Sequence, residues 1–333
     1  MTFSKASVLR VILLILWSLF AGKQALAQDP QFSQFYANPI YTNPAFAGTS
    51  NVGRIVINMR NQWPSIAGAF RTGALSYDEH FKSINGGFGI QATYDEQGVG
   101  TLKTNSINFI YSYMLEVNRR FTIRMAIQAG MFQKTLDFSK LLWYDQIILT
   151  QGFVNPTAEP PGNPSILSPN FATGIVGYSK DFFIGIAVHN LLEPEQNFFP
   201  DQPKSNIIPR RYTVNTGYVI ALNDATDPKY RVNLSPNVIF KSQRQFNQLN
   251  LGLYLSRGSL VAGAYFRQNS VNADAFIILL GYRTQKVKVG YSYDATLSAA
   301  RTGAVNSHEV SLAFELKKRI RRPKFPILHC PDY

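Results

Sequence analysis

Apolar and polar residues alternate along this chain over segments long enough to cross a bilayer, and that pattern constrains its fold more than any other feature. In Phe121–Lys134 one face carries Phe121, Ile123, Met125, Ile127, Ala129 and Met131, and the other carries Thr122, Arg124, Gln128 and Lys134. Tyr230–Lys241 sorts Tyr230, Val232, Leu234, Pro236, Val238 and Phe240 from Arg231, Asn233, Ser235, Asn237 and Lys241. Asn247–Ser256 places Leu249, Leu251, Leu253 and Leu255 on one face. A period of two is the mark of a half-buried strand, in a soluble sandwich as well as in a membrane barrel. Pro236 is awkward in either, because it cannot donate to a ladder. Length separates the two readings. About 14 candidate strands, many about 9–12 residues long or longer, suit a tilted membrane strand, whereas soluble strands are nearer five or six. They start near Gly53, Phe70, Gly86, Thr101, Phe121, Asn170, Asp181, Arg210, Tyr230, Asn247, Leu260, Ala273, Lys286 and Ser307.

The connectors support the barrel. From the third strand onward they alternate, with Phe138–Pro169, Asn190–Pro209 and Asp294–Asn306 long, Ser179–Asp181 and Thr284-Gln285 tight, and Asn223–Lys229 moderate. Outer-membrane barrels have long external loops and short periplasmic turns. An even strand count then puts both termini in the periplasm and the loop around Trp143 and Pro160 outside. Ile123, Ile127, Leu251 and Leu253 are expected to face lipid and Gln128 the lumen. No segment after the first 27 residues has 18 uninterrupted apolar residues, which argues against helical spans. The expected architecture is an all-β transmembrane antiparallel barrel over 53–316.

Residues 1–27 read as a signal peptide: Lys5 and Arg10, an apolar run from Val11 to Phe20, then Ala25-Leu26-Ala27. The mature chain begins near Gln28. Its only cysteine, Cys330, excludes an internal disulfide, and as a lone exported thiol it is idle, locally structural or joined to another chain. The formal charge is +13, three of it from Lys5, Arg10 and Lys23, while only 16% of residues are charged and 13% are aromatic. An exported chain that basic does not call for a nucleic-acid partner.

Residues 28–52 precede the first strand and form a separate segment. Asp29 suits a helix N-cap and Pro30 the first helical position. Phe32, Phe35 and Tyr36 would then form an aromatic stripe on a short helix, with Gln34 off it. Asn38-Pro39 and Asn43-Pro44 read as two rigid breaks, because proline disfavours helical geometry in the residue before it. Tyr41, Phe46 and Gly48 complete a hooked segment with an aromatic face. Such a face would pack in the lumen as a plug, or dock a partner at the periplasmic mouth.

FSQFYANPIYTNPAFAG (Phe32–Gly48) resembles the N-terminal signature of the PorP/SprF family, outer-membrane proteins of the Bacteroidetes type IX secretion system. The resemblance continues through GYSYD (Gly290–Asp294), SHEVSL (Ser307–Leu312) and Cys330-Pro331. It implies a barrel that works with secretion machinery and supports particular cargo, gliding adhesins among them, through the cargo's C-terminal domain. The basic tail 317–333, with Lys317, Lys318, Arg319, Arg321, Arg322 and Lys324, matches no family pattern; it is expected in the periplasm, as a solvated charge run or against anionic headgroups or an acidic partner.

Chemistry is not singled out. His80, His189, His308 and His329 lie far apart without metal spacing. His308 and Glu309 are adjacent and so face opposite sides of a strand. Gly86-Gly87-Phe88-Gly89 lies in strand alternation with no following helix, unlike a phosphate loop. Neither an enzyme nor a cofactor is expected. A secretion subunit remains the leading reading, with a channel for small solutes as the alternative.

Overall fold

A computed structural model describes residues 29–316 apart from 51, 149–151, 154, 159–161, 200–205, 226, 228–229, 271–272 and 298–305. The signal peptide, Pro160, the basic tail, His329 and Cys330 lie outside the described residues.

The alternating segments form a closed fourteen-stranded antiparallel barrel. Its strands are β1 (Arg54–Gln62), β2 (Phe70–Phe81), β3 (Gly86–Gln97), β4 (Leu102–Asn118), β5 (Phe121–Leu136), β6 (Ser165–Tyr178) and β7 (Phe182–His189). They continue with β8 (Arg211–Tyr218, resumed at Ile220–Ala221), β9 (Val232–Gln243), β10 (Phe246–Arg257) and β11 (Leu260–Asn269). The last are β12 (Ala273–Arg283), β13 (Val287–Thr296) and β14 (Ser307–Glu315). Each pairs with its sequence neighbours, and β14 closes the cylinder on β1 with Arg54 opposite Glu315 and Gln62 opposite Ser307. Closure leaves no exposed sheet edge, the condition for crossing a bilayer with strands.

The faces sort as the periodicity requires. Ile127 is 67% exposed and Leu251 and Leu253 are each 46% exposed, whereas Gln128 is 5% exposed and points inward. Ile123 is half-buried on the outer face. Two proline sites show how the ladders accommodate a missing donor. Pro236 pairs with Leu253 on β10, and the β8 side skips it, passing from Gly217–Asn237 to Ile220–Leu234. Strand β6 begins at Ser165, earlier than the expected Asn170, and holds Pro169 opposite Met131. Pro169 lies in the part of β6 that extends beyond its pairing with β7, where a missing N–H costs least.

The connector pattern is weaker than expected. The long segments 137–164 and 190–210 share one rim, called here the loop rim. But the tight 244–245 turn is also on that rim, and 222–231, on the opposite rim, matches 297–306 in length. The opposite rim holds the start of β1 and the end of β14, and is the terminal rim.

Candidate functional site

The first described residues run inside the barrel and not beneath it. Asp29 sits at the loop rim, where its carboxylate accepts from Arg211 Nη1 (2.9 Å) and Asn190 Nδ2 (3.1 Å). The chain descends to Pro39 near Arg54, Arg283 and Lys288, rises to Thr42 and Asn43, and descends again to Gly48 before entering β1. The described chain therefore begins at the loop rim and ends at the terminal rim; the termini themselves, expected together in the periplasm, lie outside the described residues.

The expected helix over Phe32–Tyr36 is absent, and so is the Asp29 cap. The helical turns come later and are short: a 3-10 turn Phe35–Ala37, an α turn Pro39–Thr42 and a 3-10 turn Pro44–Phe46. The two Asn-Pro pairs start turns, because proline at the first helical position gives up an amide that has no intrahelical partner anyway. Asn43 caps the last turn, its Oδ1 accepting from the Ala45 amide (2.9 Å). Asp29 is drawn off to Arg211, so a cap there would leave a buried cation unpaired.

With no free helix, the segment has no continuous solvent side, and most of its side chains are buried. Phe32, Phe35, Ile40 and Phe46 are 1–7% exposed, and Ser33, Gln34 and Asn43 are fully buried. Gln34, expected off the aromatic stripe, is among the most connected residues. Its Nε2 donates to the Glu309 carbonyl (2.9 Å) and Ser292 Oγ (3.2 Å), and its Oε1 accepts from Ser311 (2.5 Å) and Tyr36 (3.2 Å). The aromatic residues pack edge-on against the segment and the wall: Phe32 on Tyr41 at 5.1 Å, Phe35 on Tyr265 at 5.7 Å, Tyr36 on Tyr254 at 4.9 Å and Phe46 on Phe183 at 5.7 Å. Tyr41 donates to the Pro30 carbonyl (2.5 Å), closing the hook.

Among the described residues the barrel has two apolar cores, and the segment supplies part of each. Ile40, Ala45, Phe46 and Ala47 join Ile110, Val176, Tyr178 and Phe183. Phe35 joins Ile239, Val261, Ile277 and Leu279. Between them lies a charged clamp on Ser33. Its hydroxyl donates to Asp294 (2.5 Å) and accepts from Arg267 Nη2 (2.6 Å) and from Arg60 Nη1. Its amide and that of Gln34 donate to the two carboxylate oxygens of Glu309 (2.6 and 3.1 Å). Arg60 and Arg267 lie 3.1 and 3.2 Å from Asp294. These four charged residues come from β1, β11, β13 and β14. Balanced pairs with multiple hydrogen bonds offset the cost of burying ions, which isolated charges cannot do.

The other side of the hook is read through the backbone. Asn43 Nδ2 donates to the carbonyls of Ile175 (3.1 Å) and Ile186 (3.2 Å), bridging β6 and β7. It reaches them because Gly174 and Gly185 carry no side chain: a Cβ on Gly174 would lie 2.1 Å from Asn43 Oδ1. Ala47 accepts from Ser112 (2.5 Å) and Arg124 (3.0 Å), and the Gly48 amide donates to Asp78 (2.8 Å). Gly48, at φ +70°, lies so close to Gly87 that a Cβ would meet its Cα at 2.7 Å. Asn38 Oδ1 accepts from Gln91 (3.3 Å). Thus Phe32, Phe35, Tyr36, Asn38, Pro39, Tyr41, Asn43, Pro44, Phe46 and Gly48 all lie inside the barrel; the Lys317–Lys324 residues are not described.

Residues the opening stretch did not signal complete the site: Ser33, Arg60, Arg124, Arg267, Asp294 and Glu309. The signal available was parity, since Arg60, Arg124, Arg267 and Glu309 occupy inward positions of alternating strands, and Asp294 and Glu309 fall within the GYSYD and SHEVSL motifs. Above the hook, the loop rim holds polar cavities of about 110 and 410 Å³. Asn108, Gln128 and Asn170 line the smaller one, each with an amide oxygen lacking a hydrogen-bond partner. Among the described residues no group of three or more His, Cys, Asp or Glu could hold a metal ion, and no helix is long and apolar enough to cross a membrane.

A family model described as type IX secretion system membrane protein PorP/SprF matches residues 24–314. No curated protein matches the chain. Similar solved structures include the Acinetobacter baumannii outer membrane protein Omp33, with a TM-score of 0.47 and 10% identity over 81% of this chain and 100% of that one. The Pseudomonas putida toluene transporter TodX has a TM-score of 0.48 and 8% identity over 84% and 94%. The CymD monoaromatic hydrocarbon channel has a TM-score of 0.48 and 11% identity over 91% and 97%.

Proposed function

Because the chain belongs to the PorP/SprF family of type IX secretion system membrane proteins, we propose that it is a non-enzymatic outer-membrane subunit of that machine whose lumen is occupied by its own N-terminal hook. In this role the barrel is a rigid platform. It supports secretion or surface anchoring of particular cargo, gliding adhesins among them, by binding the cargo's C-terminal domain together with periplasmic and outer-membrane components of the system. Cargo and machinery meet the rims and not the lumen. The observation that carries this reading is the hook's connection from wall to wall. Glu309 and Asp294 hold Ser33 on one side, and Asn43 holds the carbonyls of β6 and β7 on the other. A freely open solute channel would be obstructed by a segment clamped across its lumen; plugged lumens belong to outer-membrane barrels whose plug serves a partner or must move.

Affinity purification from membranes after mild crosslinking tests the proposal. Secretion components and cargo should co-purify with the full chain, and fewer should do so after deletion of Phe32–Phe46. The alternative, an outer-membrane channel for small solutes, draws support from the polar cavities at the loop rim. It would be favoured if the barrel purified without partners and conducted ions.

A further inference from the structure

The cations of the terminal rim form a pattern that the hook does not explain. All six connections on that rim carry or adjoin an exposed one: Lys82 between β2 and β3, Arg119 and Arg120 between β4 and β5, and Lys180 between β6 and β7. Arg231 precedes β9, Arg257 ends β10 and Lys286 precedes β13. None of them forms an ion pair with a described carboxylate. The acids within the same connections, Asp181, Asp224 and Asp227, are fewer, with Glu79, Glu116 and Glu315 nearby in the strands. On the loop rim Lys140 pairs with Asp137 and Arg210 with Glu193, and the exposed Arg71, Lys103 and Arg244 are dispersed and do not recur at each connection.

A second feature lies beside the first. The terminal rim carries aromatic residues adjoining these cations, Phe81 before Lys82, Phe121 after Arg120, Phe182 beyond Lys180 and Tyr230 before Arg231. Phe81 stacks edge-on with Phe88 (6.1 Å), and Phe182 lies tilted against Tyr218 (6.4 Å). Rings at the end of a barrel's apolar band mark the headgroup level of the bilayer. The cations therefore stand just beyond the acyl region, at the depth of lipid phosphates.

We propose that this collar binds the headgroups of anionic phospholipids, which it concentrates in the annulus around the terminal rim. Three features of the collar favour lipid. The charge is circumferential, as a lipid annulus is, whereas a protein partner approaches from one side. The cations are unpaired, so no existing ion pair has to be broken. And the neighbouring rings place them at the depth of the phosphates. The inference rests on the membrane barrel and is independent of any role in secretion.

Spin-labelled phosphatidylglycerol and phosphatidylcholine provide the test, with the full chain reconstituted in phosphatidylcholine vesicles and the protein-bound lipid fraction read by electron paramagnetic resonance. A basic side chain near an anionic surface contributes about 1 kcal/mol, so phosphatidylglycerol should be enriched about fivefold over phosphatidylcholine at each contacted site at low salt. At ~1 M salt, where screening shortens to about 3 Å, the enrichment should vanish. Replacing all seven collar cations, Lys82, Arg119, Arg120, Lys180, Arg231, Arg257 and Lys286, with Gln should abolish it, while Arg71, Lys103 and Arg244 on the loop rim can be replaced with Gln without effect. Because all these positions are exposed at strand ends and turns, the heat-modifiable barrel should persist in both variants. Equal association of the two lipids in the wild type would overturn the proposal, as would enrichment that survives the terminal-rim changes. Displacement of the bound lipid by millimolar inorganic phosphate would also overturn it, since the site would then be selective for the free anion.

Discussion

Glu309→Ala should release the hook without unfolding the barrel. The carboxylate accepts the buried amides of Ser33 and Gln34 at 2.6 and 3.1 Å and lies 3.9 Å from Arg60. Removing it leaves two buried N–H groups without acceptors, at about 1–3 kcal/mol each, or about 2–6 kcal/mol together. At 1.4 kcal/mol per factor of ten, the undocked population rises at least about thirtyfold. The ladder of β14 with β1 and β13 is made by the backbone and survives the change. The assay is the rate of thiol labelling at Ala45→Cys, a fully buried position on the hook, in a Cys330→Ser background and in folded, heat-modifiable protein. His308→Ala is the control: that side chain faces outward and bonds Tyr291 at 2.8 Å, so it should leave the rate unchanged. Equal rates in the Glu309 and His308 variants would refute the claim that the carboxylate holds the hook.

Other consequences can be measured separately. Gly174→Ala should displace Asn43 and lower stability by about 1–3 kcal/mol, as overpacking does; combined with Asn43→Ala, the two losses should fall short of additive in a double-mutant cycle. Leu251→Arg, on the outer face, should cost about 2–4 kcal/mol of barrel stability near mid-membrane, and Gln128→Arg, beside a polar cavity, far less; folding yield in lipid vesicles reads both. Phe35→Ala and Gln34→Ala should loosen the hook to comparable degrees, since both side chains are buried; proteolytic nicking of the segment checks this. Cys330 should resist an impermeant thiol reagent in sealed cells if the tail is periplasmic, and rapid labelling would reverse that assignment.

The barrel was legible because a strand's two faces meet different media, so parity appears directly in the residues. Starts at Phe70, Gly86, Phe121, Leu260, Ala273 and Ser307 agree with the expected positions. Asn170 was late by five because Pro169 reads as a loop residue, and only the exposed ladder side of β6 makes it tolerable. Hook geometry was far less legible. Its residues were recognised as a unit destined for burial, but a helical stripe presumes a solvent side, and inside this barrel the segment has no continuous one. Local capping at Asp29 lost to a long-range ion pair with Arg211, and Gln34 gained its role from two strands distant in sequence. The clamp was scattered across β1, β11, β13 and β14, where each residue looks like an ordinary inward polar position.

The most direct test of a lumen occupied by its own N-terminus is the conductance of the purified full chain in planar bilayers, beside a variant lacking Phe32–Phe46. The account predicts a silent wild type and stable open currents from the deletion. Steady wild-type currents, unchanged by removing the segment, would contradict it.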